Sequence, residues 1–169
     1  MVDVNLKIDE YAAFPTMIYK FESDLFDEHL KMIEYIKNQP MTMEGMIQTK
    51  DNLFKLEEFK SLVEIVQNIT ANILKNLKYD GYKNIEITSM WGNHMNEGRA
   101  HPPHTHSNNF LSGVYYIESS KDSSPIQFFD PKPQANILKP AGAATWQNSS
   151  MLQFESIVGT GLIFPSWLQ

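Results

Sequence analysis

The chain has 169 residues, 42% of them hydrophobic and 12% aromatic, enough for one domain with a sizeable core and too apolar for a disordered chain. Its 14 basic and 20 acidic residues leave a net charge of −6, which argues against a general nucleic-acid binder because no basic surface is available to neutralise phosphates. There is no cysteine, so disulfides, thiolate zinc sites and cysteine nucleophiles are excluded. The apolar runs are far too short to span a bilayer, and the opening Met-Val-Asp-Val-Asn is not a signal peptide. A soluble cytoplasmic protein is expected, and the sequons at Asn68 and Asn148 read as incidental. Thirteen of the 14 basic residues are lysine, so Arg99 is the single guanidinium that an anion could meet.

The first half, to about residue 78, reads helical. Ser23-Asp24 is placed to cap a helix from Leu25 to Lys37, with Leu25, Phe26, His29, Leu30, Ile33 and Ile36 at helical spacing. Asn38-Gln39-Pro40 ends it. Met41 to Phe54 is polar and methionine-bearing, and reads as a loop or weak hairpin with the length of a lid. A second helix, Glu57 to Leu77, carries Phe59, Leu62, Val63, Ile65, Val66, Ile69, Ile73 and Leu74 on one broad face.

From Tyr79 the texture changes to short strands divided by Gly, Pro and Ser clusters. The candidates are Glu86–Asn96, Phe110–Ile117, Ile126–Asp130, Gln134–Lys139, Met151–Ser156 and Gly161–Trp167. Two helices followed by six short strands predict an α+β, mainly β, single domain over 1–169, an antiparallel double sheet with the helices packed on one face. A roll stopping at Gln169 would leave an apolar edge, so at least one further strand is expected after it.

The chemistry concentrates in His101-Pro102-Pro103-His104-Thr105-His106, which holds three of the five histidines. Side chains at i and i+2 of an extended strand share a face, so His104 and His106 can aim two imidazoles at one divalent metal. Two imidazoles are an incomplete site. The third donor is open between His94 on the preceding strand, His101 in the loop and, favoured, a group outside this sequence. No residue is assigned as acid, base or nucleophile. Arg99, beside this loop, reads as solvated, and Trp91, Trp146 and Trp167 as packing residues.

Trp91-x-Asn93-x4-Gly98-x5-His104-x-His106, Leu111-Ser-Gly-Val-Tyr-Tyr-Ile117, Pro125-Ile-Gln-Phe-Phe-Asp-Pro131 and Gly161-Leu-Ile-Phe-Pro-Ser-Trp-Leu168 occur in that order. Together with Phe14-Pro-Thr-Met-Ile-Tyr19 they resemble the Fe(II)/2-oxoglutarate-dependent oxygenase superfamily, closest to a branch of small members common in marine bacteria and phages. The resemblance implies a double-stranded β-helix (a cupin-like jelly roll) that binds Fe(II) and 2-oxoglutarate and oxidises a further substrate with O2. It implies His104 and His106 as metal ligands, and Asn93, Ser112 and Tyr116 as residues facing the cosubstrate. His106 stands where the superfamily has a carboxylate, leaving the site one charge more positive. The distal histidine of the pattern would directly follow Gln169. The implied partners are 2-oxoglutarate, O2 and a substrate of unidentified class, a peptidyl side chain being one that the fold's relatives suggest, with no nucleic acid or membrane and with the oligomeric state open, a homodimer included. Two alternatives compete: a cupin-like metal enzyme without 2-oxoglutarate, which would expect a glutamate that Ser107-Asn-Asn-Phe-Leu111 lacks, and a catalytically silent phage structural or binding module.

Overall fold

The computed structural model describes residues 7–79, 81, 84–132, 134 and 137–169. Along the chain run β1 (Tyr19–Glu22), α1 (Phe26–Lys37), β2 (Met46–Gln48), two single 3₁₀ turns (Leu53–Lys55 and Glu57–Phe59), α2 (Lys60–Asn76), β3 (Asn93–Met95), β4 (Leu111–Tyr115), β5 (Ile126–Phe129), β6 (Met151–Phe154) and β7 (Thr160–Pro165). The strands form three antiparallel sheets, ordered β1-β7-β4, β2-β3 and β5-β6. The architecture is therefore α+β with antiparallel sheets, as expected; among the described residues no ladder closes the sheets into a barrel.

Two expectations are corrected. The first half is not purely helical, since it supplies β1 to the edge of β7 and β2 to β3. Nor is Met41 to Phe54 free to act as a lid. Met46 and Ile47 are buried, Leu53 is 1% exposed, and the Thr49 N–H donates to the Gly92 carbonyl at 3.0 Å. The short strand candidates shrink: Glu86–Asn96 contributes only Asn93–Met95 as strand, and the described residues of Gln134–Lys139 (134 and 137–139) form none, the rest lying outside the described residues. No helix among the described residues is long and apolar enough to cross a membrane.

Alternation on β4 divides the interior into two cores. Val114 turns toward Phe128, Leu162, Phe164 and Leu168, the cluster that joins the β1-β7-β4 and β5-β6 sheets. Tyr115 and Ile117 turn the other way, onto Leu25, Met32 and Ile36 of the α1 region, which also contacts Ile47, Leu53, Phe59 and Leu62. Central β7 puts Leu162 and Phe164 into the first of these cores, and its Leu162 and Ile163 are 1% and 3% exposed, as an unbroken apolar run implies.

On α1 the inward stripe is Leu25, His29, Met32 and Ile36, whereas Leu30 is 73% and Phe26 55% exposed. α1 rests on the β2-β3 sheet at Gly92. A Cβ there would come within 2.4 Å of Ile36 Cδ1, so only glycine lets helix and sheet approach this closely.

The expected Ser23-Asp24 cap does not form: no side chain caps α1. The Ser23 hydroxyl is instead hydrogen-bonded to the Tyr115 hydroxyl at 2.6 Å, and that hydroxyl to His29 Nε2 at 2.8 Å. The three groups tie β1, α1 and β4 together beneath the Phe21 ring, which stacks on Tyr115 at 5.9 Å. Burial holds the His29 imidazole below its ordinary 6.5, only partly opposed by the Glu28 charge. Burial likewise raises the Tyr115 phenol, against the lowering effect of its Ser23 hydrogen bond, with the Glu28 and Asp24 charges adding to the rise.

A histidine depressed in the folded state binds fewer protons there than in the unfolded chain. Its contribution to stability is complete above 6.5 and is lost as pH falls from there through the folded value. Urea midpoints measured between about pH 7.5 and about pH 5 should fall on acidification, and fall less steeply in His29→Gln. Equal slopes in the two proteins would show that His29 is not the group responsible.

Candidate metal centre

The histidine segment is held where β4 and β7 run out. The Ser166 N–H donates to the Phe110 carbonyl at 3.1 Å, and the His106 N–H donates to the Ser166 carbonyl at 2.9 Å. Between them the chain turns through Asn108, whose φ of +65° is the left-handed conformation asparagine tolerates. The Thr88 hydroxyl donates to Asn109 Oδ1 at 2.6 Å and the Asn109 amide to the Ser107 carbonyl at 3.2 Å, bracing the turn.

His104 and His106 do come together, their rings 4.8 Å apart and edge to face. The His104 Nδ1–H donates to the Pro102 carbonyl at 2.9 Å. A carbonyl can only accept, so Nδ1 carries a proton, and in the neutral ring that leaves the Nε2 lone pair for a ligand, the usual arrangement of a metal-binding histidine. The His106 ring is half-buried against Trp91, 5.7 Å away. Burial, and then the neighbouring His104 charge, lowers His106 below 6.5 and keeps its imidazole in the neutral form that binds metal. Residues 104 and 106 therefore fit a first-row divalent ion as two of its donors.

The other candidates divide. His101 lies exposed in the loop, its ring 6.0 Å from that of His104; burial and the His104 charge lower it too. His94 faces the opposite way, its Nδ1 3.8 Å from Glu118 Oε2, whose carboxylate also pairs with Lys37 at 2.7 Å. Among the described residues no three His, Cys, Asp or Glu side chains gather at one point.

Ser112 is adjacent to the pair through Ser166, their hydroxyls sharing a 2.8 Å hydrogen bond. Asn93 pairs with Gln48 and alternates with His94, whose partner Ile47 packs toward α1. Asn93 thus turns away from α1, to the same side as Trp91 two residues before it. Tyr116 is not brought to the histidines. Its hydroxyl meets Ser156, and its N–H donates to the carbonyl of Thr160, six residues from Ser166 or about 20 Å along the extended chain. Arg99 packs its side chain over Gly45 and is exposed, while Trp146 and Trp167, read as packing residues, are 67% and 56% exposed.

Sequence reasoning missed Ser166. It is 1% exposed and carries both backbone bonds that seat the histidine turn. Its place in Pro165-Ser166-Trp167-Leu168 was the available signal.

Residues 89–169, which contain both histidines, β4 and β7, match the model of a family described as "Putative 2OG-Fe(II) oxygenase". This similarity supports the resemblance to the Fe(II)/2-oxoglutarate oxygenase superfamily that the motifs carry. No curated protein matches the chain.

Proposed function

We propose that the protein is an Fe(II)- and 2-oxoglutarate-dependent dioxygenase of the hydroxylase type, with a peptidyl side chain as the first substrate class to test. The observation that carries this reading is the convergent His104–His106 pair, seated between β4 and β7 inside the segment that matches the oxygenase family. In this reading the β1-β7-β4 and β5-β6 sheets, packed across Phe128, are the two walls of a double-stranded β-helix.

Fe(II) held by His104 and His106 would supply the oxidising chemistry, one oxygen atom of O2 going into succinate as 2-oxoglutarate loses carbon dioxide and the other into a substrate C–H bond. The protein's own residues do the positioning. Pro102 fixes the His104 tautomer, and Trp91 covers one side of His106 against water. Asn93 and Ser112, both on faces turned away from α1, offer an amide and a hydroxyl to a carboxylate. Fold ancestry does not name the substrate.

Titration with Mn(II), followed by tryptophan fluorescence, tests the reading because Trp91 touches His106. Wild-type protein should bind Mn(II), bind it more tightly with 2-oxoglutarate present, and lose both effects in His104→Ala. Metal binding indifferent to 2-oxoglutarate would replace this reading with a cupin-type metal protein. No metal binding at all would sink the enzyme hypothesis.

A further inference from the structure

We infer that Ser166, locked through its hydroxyl to Ser112, is a positioning residue of the metal centre: it sets the place of His106 without touching the metal. The inference rests on the dioxygenase reading above and adds a role for the Pro165-Ser166-Trp167-Leu168 motif.

Four observations meet at this residue. Its side chain is 1% exposed although it is polar, and its hydroxyl has a defined partner in Ser112 Oγ at 2.8 Å. Its carbonyl accepts from the His106 N–H at 2.9 Å, and its own N–H donates to the Phe110 carbonyl at 3.1 Å. Ser166 therefore closes both ends of the five-residue turn from His106 to Phe110. The chain at Ser166 has already left the β4–β7 ladder, whose register ends at the Leu111–Pro165 pair. Beyond that pair the Ser112–Ser166 hydroxyl bond is the side-chain contact that keeps this backbone against β4. Without it, the carbonyl that holds His106 is steadied on the β4 side by the single backbone bond to Phe110, and the imidazole is placed less tightly. Partners one step removed from the metal typically change its affinity about 10–100-fold when lost.

The test compares wild type with Ser166→Ala, Ser112→Ala and the double variant. Mn(II) affinity should fall at least about tenfold in each single variant, and no further in the double, because both lose the same bond. In metal-free protein, hydrogen exchange at the His106 amide should quicken about fivefold, the loss of roughly one ordinary hydrogen bond, while the Val114 and Leu162 amides keep the wild-type rate. A general structural role would speed all three. If Ser166→Ala does not fold, Ser112→Ala alone still decides the matter, because Ser112 lies within the ladder and keeps its backbone pairs. Wild-type metal affinity in Ser112→Ala, or additive losses in the double variant, would overturn the inference and leave the dioxygenase reading standing. A wild-type protein that binds no metal would remove both.

Discussion

Phe128→Ala should destabilise the protein by about 3–5 kcal/mol, the cost of removing a buried phenyl ring and leaving its volume unfilled. Phe128 is 4% exposed, and its ring meets Phe164 at 4.8 Å and Phe154 at 5.9 Å, both edge to face. Phe154 belongs to β6 and Phe164 to β7, so this one side chain bridges the two sheets. The backbone contributes little at this seam; the Phe129 N–H donating to the Gln169 carbonyl at 2.7 Å is one such bond. Hydrophobic contact must therefore do most of the docking. Urea unfolding measures the change, and a loss below about 1 kcal/mol would mean that the sheets do not depend on this ring.

Met32→Ala is expected to cost about 2–5 kcal/mol by the same reasoning in the other core. Met32 is 0% exposed and packs among Leu25, Ile36, Ile47, Leu53, Phe59 and Leu62, where α1 meets β2 and the start of α2. The two clusters share no residue, so the two losses should add. Their sum approaches the whole stability of an ordinary domain, about 5–15 kcal/mol, and the double variant should be largely unfolded at room temperature. A double variant no worse than Phe128→Ala alone would show that the two clusters are one cooperative core.

The same positions show what could be read from the sequence. The alternation on β4, with Ser112, Val114 and Tyr116 on one side and Gly113, Tyr115 and Ile117 on the other, is a period-two pattern that local sterics impose, and it holds. The helix ends were legible to within a residue or a single turn for a similar reason. Met32 was not, because methionine carries no strong sign of burial, while Leu30 and Phe26 looked inward yet face solvent. Strand β1 was missed because its alternation, Tyr19 and Phe21 against Lys20 and Glu22, lasts only four residues. The Ser23 cap failed because a tertiary partner, Tyr115, outcompeted the local backbone.

At the site, the i and i+2 spacing of His104 and His106 foretold their convergence. Ser166 was hidden because its importance lies in contacts 54 and 60 residues away along the chain, to Ser112 and His106. Tyr116 is the opposite case. It shares a face with Ser112, but position along the strand carries it to the far end.

The division of labour on β4 has a consequence for how such a chain can change over time. Because neighbouring side chains of this strand belong to different cores, deleting or inserting a single residue would exchange their destinations, sending Val114 under α1 and Tyr115 between the sheets. Substitutions test one side chain at a time, but a change of length there tests every side chain together. The five residues from His106 to Phe110, pinned at both ends by Ser166, are bound by the same constraint. Length, more than composition, is what this stretch of the protein has least freedom to vary.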